Sequence, residues 1–399
     1  MLFFYIHKKN YTFLPKILHN SNFCSNFVHS FENMVCTDIH NFLAKIVSRY
    51  DPDQVCCVAD EVFSTSSVLN HTLSGIKCWL IPVAESEKSL ETVQKVWNFF
   101  FEMGLTRKGL VIAVGGGALT DLVGFCAATY KRGVDCLYIP TTLLAMVDAS
   151  TGGKTGFNYH GLKNSIGVFQ PPVETLISPQ WLRTLPADQF LSGYAEMLKM
   201  GVVENPSLST RENAKNSLWN DLLQYDLDTM PLEDLTPLIE RCVAAKELIV
   251  KADPQEEGLR KVLNFGHTFG HALEEISLSA NEASGLSAER SLLFQRSGLL
   301  HGYAVLYGMI AELYLSVLKL GCPKEALQQL TQLMLHYYGR PTCKCSDRSR
   351  LISLMQQDKK NERAAQINCT LIRSVGDPVI NQIITPQEAE EALDYLFSL

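Results

Sequence analysis

The sequence predicts an α/β protein in which an open, mostly parallel βαβ domain over residues 34–180 precedes a mainly α-helical domain over residues 181–399. Three observations carry that expectation. Up to about residue 175, short β-branched and apolar runs alternate with helix-length stretches. From about residue 186, apolar residues recur at helical spacing, and strand signals nearly vanish until Ile367–Ile372. The length of 399 residues also exceeds the roughly 250–300 at which a single core stops growing. Two domains with a cleft between them follow.

Residues 1–33 lie outside this grammar. Leu2–Ile6 is apolar but too short for a secretory segment, and the basic pair Lys8-Lys9 follows rather than precedes it. Met34 stands just before the first structured stretch, so 1–33 is expected to be an extension. Val55–Asp60 and Lys77–Val83 read as strands, and Leu90–Met103 as the amphipathic helix that follows. Leu110–Val114 is a third strand, ending in Gly115-Gly116-Gly117; Leu119–Tyr130 reads as a helix and Cys136–Ile139 as the next strand. Helices are expected around 187–203, 233–251, 265–276 and 302–320. There is no internal repeat, and no apolar run reaches the roughly 18 residues of a membrane span.

A net charge of −7 with 46% hydrophobic and 19% charged residues describes an ordinary globular chain without the basic surplus of a nucleic-acid binder. An anionic substrate must therefore be met by local clusters of Lys and Arg. The 12 cysteines include no Cys-x-x-Cys pair, which points to reduced thiols in the cytoplasm rather than to a zinc knuckle or redox motif.

The triple glycine stands where a buried strand gives way to a helix, a place where backbone N–H groups and the helix dipole can hold a pyrophosphate or simply make a tight turn. Asp121 follows in the first helical turn. Pro140 to Gly156 and Gly161-Leu162-Lys163-Asn164 form small, hydroxylated, lysine-bearing loops suited to phosphate and ribose contacts. A Walker phosphate loop is excluded, because its leading glycine would have to occupy position 148, which is Asp148. In the helical half, His267 and His271 lie one turn apart in Asn264-Phe-Gly-His-Thr-Phe-Gly-His271, Glu196 and Lys199 share a face of an earlier helix, and His301 follows downstream. Histidines and a carboxylate from separate segments suit a catalytic zinc with open positions. A lone histidine is more often an ordinary polar residue; the cluster, in a chain of 10 histidines, changes that balance. Lys246, Arg260 and the run Asp358-Lys359-Lys360-Asn361 add basic groups that by themselves read as solvated faces.

In order, these segments resemble the 3-dehydroquinate synthase family. The match rests on Gly115-Gly-Gly-x-x-x-Asp-x-x-Gly-Phe125, Tyr130-Lys-Arg-Gly133, the Pro140 to Gly156 run, Gly161-x-Lys-Asn164, Ala195-Glu-x-x-Lys199 and Leu263 to His271, and it runs from about Asp60 to Lys360. The resemblance implies a metal, zinc or cobalt, held by Glu196, His267 and His301. It implies NAD contacts at Asp60, Glu85, Lys88, Gly115, Gly116, Gly117, Ala118, Leu119, Thr120, Asp121, Thr141, Thr142 and the stretch Trp181, Leu182, Arg183 and Thr184. Substrate contacts are implied at Asp148, Lys154, Lys163, Asn164, Lys199, Lys246, Arg260, Asn264, His271, Lys359 and Lys360, and Arg132 would reach the substrate phosphate of the other subunit of a homodimer. The implied chemistry is a cyclisation of a sugar phosphate with loss of phosphate, in which NAD is reduced and then regenerated. No nucleic-acid or membrane partner is implied. Three departures stand out: Tyr303 replaces a customary glutamate in His301-Gly-x-Ala-Val305, Ser277–Leu300 is long, and Ala84 replaces a common glycine. Rival readings are another sugar-phosphate cyclase, a polyol dehydrogenase of the glycerol dehydrogenase type, and a non-catalytic relative. The last would be expected to lose metal or basic positions, and none is lost.

Overall fold

The computed structural model describes residues 33–36, 38–160, 162–204, 217–284, 298–341, 347–357 and 366–399. The first half runs β1 (Asn33–Val35), α1 (Ile39–Val47), β2 (Val55–Asp60), α2 (Ser67–Thr72), β3 (Lys77–Ile81), α3 (Leu90–Glu102), β4 (Leu110–Gly115), α4 (Gly117–Thr129), β5 (Asp135–Pro140), β6 (Lys154–Tyr159), β7 (Leu162–Phe169) and β8 (Glu174–Ile177). Among the described residues six strands form one sheet in the order β1-β8-β5-β4-β2-β3, and every pair is parallel. The composition explains why. All of β4, LVIAVG, is buried, and so is β2 up to Ala59, so both faces need cover. Helices α3 and α4 cover one face through Val93, Phe100, Leu122 and Val123. The other face, with Cys57, Ile112 and Leu137, merges into the apolar interior of the helical half.

The strands expected at 55–60, 77–83, 110–114 and 136–139 are present with small shifts at their ends. Two features differ from expectation. Asn33, placed by sequence in the extension, is the first residue of β1: its side chain donates to Glu247 Oε1 at 2.7 Å and to Thr151 Oγ1 at 3.0 Å. The lysine-bearing loop after β5 folds from Lys154 onward into the antiparallel hairpin β6–β7. Thr155 and Phe157 turn inward, Phe157 packing edge-on to Phe125 at 5.1 Å, and Gly156 faces Gly167 so that the two backbones approach closely.

The second half comprises α5 (Ala187–Val203), α6 (Leu218–Gln224), α7 (Leu232–Ala252), α8 (His267–Ser284), α9 (His301–Leu320), α10 (Lys324–Leu333), α11 (Arg348–Gln357), the hairpin β9 (Ile367–Ser374) and β10 (Asp377–Ile384), and α12 (Pro386–Ser398). Helix α9 is its axis. Every residue from Gly302 to Leu313 is buried, against α5, α8, α12 and β9. By length and composition α9 could cross a membrane, with a mean hydropathy of 1.4, but 67% of that stretch is buried inside the fold and it serves as the core helix.

Candidate active site

Glu196 in α5 and the first residues of α8 and α9, His267 and His301, converge so that their ligand atoms all lie within 4.8 Å of one another. Glu196 Oε1 stands 3.8 Å from His267 Nε2 and 3.4 Å from His301 Nε2. Both Glu196 oxygens are buried without a hydrogen bond of ordinary geometry, although Lys199, one turn on, brings its ammonium against Oε2. Buried carboxylate oxygens are costly to leave unbonded. Two imidazoles and a carboxylate fit a divalent cation with open positions for substrate. Sequence spacing alone left His271 open as a ligand; its ring lies beside the trio, 5.3 Å from that of His267 and 6.3 Å from that of His301.

The trio is oriented from behind. His267 Nδ1 donates to Phe265 O at 3.1 Å, which turns Nε2 toward Glu196. His301 Nδ1 faces Glu274 Oε2 at 3.4 Å. Burial opposes charge on His301, but Glu196 and Glu274 outweigh it and push its pKa up to about 10. Glu312, fully buried on α9, accepts from Gly266 N at 2.6 Å and Thr268 N at 3.3 Å and so holds the first turn of α8.

A buried ionic group adjoins the trio. Asp148 lies in the π-turn Ala145–Ala149; Lys246 Nζ donates to its Oδ1 at 2.6 Å, and Lys199 Nζ is 3.7 Å away. Burial works against ionisation of Asp148, but Lys246, Lys199 and His301 hold its carboxyl far below the usual range. Burial likewise lowers the pKa of Lys246, whereas Glu196 and Asp148 outweigh it for Lys199. Lys246 is thus the buried lysine that holds its proton less tightly.

The remaining basic groups meet where the hairpin faces the helical half. Lys154 pairs with Glu256, whose Oε1 also accepts from Asn264 at 3.1 Å. Lys163 pairs with Glu274 at 2.6 Å. Arg260 donates to Pro254 O at 2.8 Å and Gly152 O at 3.1 Å. Arg132 is exposed, in left-handed backbone at φ 69°, and makes no hydrogen bond or ion pair among the described residues. Lys359 and Lys360 lie outside the described residues.

On the sheet side, Gly116 stands between β4 and α4 and opens the helix with no side-chain cap. A Cβ on Gly116 would approach Thr142 at 3.1 Å and one on Gly117 Ala149 at 3.0 Å, so a side chain at either position would crowd this approach. Leu119 and Thr120 are buried, which leaves Ala118, Leu119 and Thr120 their backbone rather than their side chains for a ligand at the helix start. Thr141 N bonds Gly115 O at 3.0 Å, and Thr142 Oγ1 accepts from Ala145 N at 3.2 Å. Buried Lys88 donates to Asp121 at 2.7 Å and to Asn164, while Asn158 donates to Glu85 Oε1 at 3.0 Å; the hairpin is thereby tied to the nucleotide-side segment. Asp60, Val62, Val83 and Ala84 line a cleft of about 740 Å³ at the carboxyl ends of β2 and β3, where open parallel sheets bind ligands. Trp181 packs edge-on to Phe63 at 5.2 Å, and Thr184 Oγ1 closes the Trp181 turn at 3.4 Å. Leu182 is buried, and Arg183 points outward to Glu233.

Sequence reasoning missed Glu274, Glu256, Glu312 and Asn158. Glu274 carried a signal, being seven residues after His267 and three after His271 on one helical face. Glu256 carried none, since it sits in a loop at φ 61°.

A glycine-led helix at the carboxyl edge of a parallel sheet, opposite a carboxylate and two imidazoles, defines the class of enzymes that combine a nucleotide site with a catalytic divalent metal. Solved structures agree on the fold. 2-epi-5-epi-valiolone synthase from Streptomyces hygroscopicus, with NAD+ and Zn2+ bound, is 27% identical at a TM-score of 0.70 and covers 98% of this chain and 99% of its own. A 2-deoxy-scyllo-inosose synthase, 20% identical at a TM-score of 0.73 over 91% of this chain and 96% of its own, shares the fold. Profiles for the 3-dehydroquinate synthase N-terminal and C-terminal regions match residues 78–192 and 193–361. The 3-dehydroquinate synthase of Parabacteroides distasonis is 41% identical over 368 residues, 91% of this chain and 96% of that protein. That of Corynebacterium diphtheriae is 34% identical over 340 residues, 84% of each. The chain belongs to the 3-dehydroquinate synthase family, phosphate-eliminating cyclases of the shikimate pathway.

Proposed function

We propose that this chain converts 3-deoxy-D-arabino-heptulosonate 7-phosphate to 3-dehydroquinate and phosphate, with NAD bound against residues 34–180 and zinc or cobalt held by Glu196, His267 and His301 of the helical domain over residues 181–399. The observation that carries this reading is the buried Glu196 carboxylate, whose Oε1 has no hydrogen bond and faces two imidazoles while Lys199 pairs with Oε2, beside Asp148 and Lys246. NAD would supply a hydride acceptor that is regenerated within the cycle, and the metal would supply Lewis acidity at the reacting hydroxyl.

The chain's own groups do the rest. Asp148, kept ionised, and Lys246, with its loosened proton, stand where protons must move near the metal. Lys154, Lys163, Asn164, Arg260, Asn264 and His271, with Lys359 and Lys360, receive the carboxylate and phosphate of the substrate. The protein acts in the cytoplasm as a homodimer whose partner copy supplies Arg132. Strand β7 exposes Leu162 at 65% and Phe169 at 48%, together with Ile166 and Val168, apolar side chains that a second copy would cover.

Incubation with the heptulosonate phosphate and a trace of NAD tests this reading. Phosphate release in excess of NAD, with no net NADH and with 3-dehydroquinate as product, is expected. NADH accumulating in step with turnover would indicate a dehydrogenase, and turnover of a phosphate lacking the carboxylate a different cyclase. A chelator should abolish the reaction and zinc or cobalt restore it.

A further inference from the structure

Glu274 lies between two parts of the site that come from opposite halves of the chain. Its side chain is only 13% exposed, and its two oxygens are divided: Oε2 faces Nδ1 of His301 at 3.4 Å, and Oε1 accepts from Lys163 Nζ on the hairpin at 2.6 Å. Ser277 Oγ, one turn on, bonds the Glu274 carbonyl at 2.6 Å and also accepts from Leu299 N at 2.8 Å, just before His301. Helix α8 thus offers His267, His271 and Glu274 on one face, and Glu274 reaches the hairpin.

Two consequences follow from the chemistry of those contacts. A carboxylate on Nδ1 selects the tautomer with its proton on Nδ1, which leaves the lone pair of Nε2 free to ligate a metal, and Nε2 is the nitrogen aimed at Glu196. A carboxylate on Lys163 holds its ammonium, 39% exposed, at the mouth of the site before any anionic ligand arrives. We propose that Glu274 is a positioning residue that both orients His301 for the metal and presents Lys163 to the substrate, so that one carboxylate couples metal retention to recognition of the anionic group. The inference rests on the metal site proposed above.

The two arms separate by substitution. Glu274→Ala removes both, so zinc should dissociate about 10- to 100-fold more readily and KM for the heptulosonate phosphate should rise. Glu274→Gln keeps an amide oxygen for His301 Nδ1 but no charge for Lys163, so zinc affinity should stay near wild type while KM rises and kcat changes little. Zinc affinity is read without substrate, by competition with a chromophoric chelator on protein whose melting curve is checked. Wild-type zinc affinity in Glu274→Ala would overturn the first arm. An unchanged KM in Glu274→Gln would overturn the second, and Gln decides both if the Ala protein does not fold, because zinc loss in Gln also contradicts the scheme. A His301→Ala control distinguishes the two levels: retention of zinc there would overturn the metal site and this role together, whereas zinc lost by His301→Ala but kept by Glu274→Ala overturns only the role of Glu274.

Discussion

Asp253 holds the loop that carries Glu256 and Arg260. Its Oδ2 accepts from Arg260 N at 3.0 Å and Gly258 N at 2.8 Å, and Oδ1 from Glu257 N at 3.1 Å. The Arg260 and Gly258 N–H groups favour the charged form and lower the carboxyl pKa below its ordinary 3.8. A depressed pKa contributes stability above the ordinary value, and that contribution is lost as pH falls through the depressed one. Asp253→Asn should therefore melt earlier than wild type at neutral pH, with the gap closing as pH drops below 3.8. A gap that persists in strong acid would show that the charge of Asp253 does not hold the loop. Glu312 makes a second case at this scale. Truncation to Ala strips Gly266 N and Thr268 N of their acceptor in a dry interior, at a cost of about 1–3 kcal/mol in denaturant unfolding.

At the scale of elements, the metal trio is a product of helix packing. A Cβ on Gly302 would lie 1.8 Å from Ser192 O, and one on Gly308 1.9 Å from Gly266 O, so α9 rests backbone to backbone on both α5 and the start of α8. Ser192 precedes Glu196 by one turn, and Gly302 follows His301 directly. Gly302→Ala should push α5 from α9, destabilise by about 3 kcal/mol or more, and weaken zinc retention. Gly321, at the left-handed end of the same helix with φ 69°, has open space around it. Gly321→Ala should cost about 1 kcal/mol and leave zinc uptake unchanged. Equal zinc loss in both variants would show that general destabilisation, not helix spacing, empties the site.

At the scale of the whole molecule, the exposed Arg132 and the uncovered β7 are the features that a partner copy would use. If Arg132 acts across a two-fold interface, Arg132→Ala and Lys163→Ala proteins, each inactive, should regain about a quarter of wild-type activity when co-refolded in equal amounts, because half the dimers are mixed and each mixed dimer has one intact site. No recovery, with subunit exchange confirmed by mass spectrometry, would place Arg132 within its own site.

Much of the fold, and the group of histidines and carboxylates from which the cluster is drawn, were legible in the linear pattern. Buried parallel strands such as Leu110–Gly115 need apolar residues on both faces, a helix such as Ala187–Val203 needs apolar residues at turn spacing, and a metal needs histidines and carboxylates; each of these is a property of residue type and spacing. The strands Asn33–Val35, at the sheet edge, and Glu174–Ile177, next to it, are three and four residues long, too short for any period to show. The hairpin Lys154–Phe169 looked like a loop because its glycines, which permit close backbone pairing, are also turn residues. Spacing did not choose among His267, His271 and His301; the family resemblance singled out His267 and His301, and the packing of the helices is what brings those two against Glu196. Only the tertiary structure revealed that Glu274 and Glu256 hold the hairpin lysines, because ion pairs spanning 111 and 102 residues depend on how elements pack, which no local pattern records.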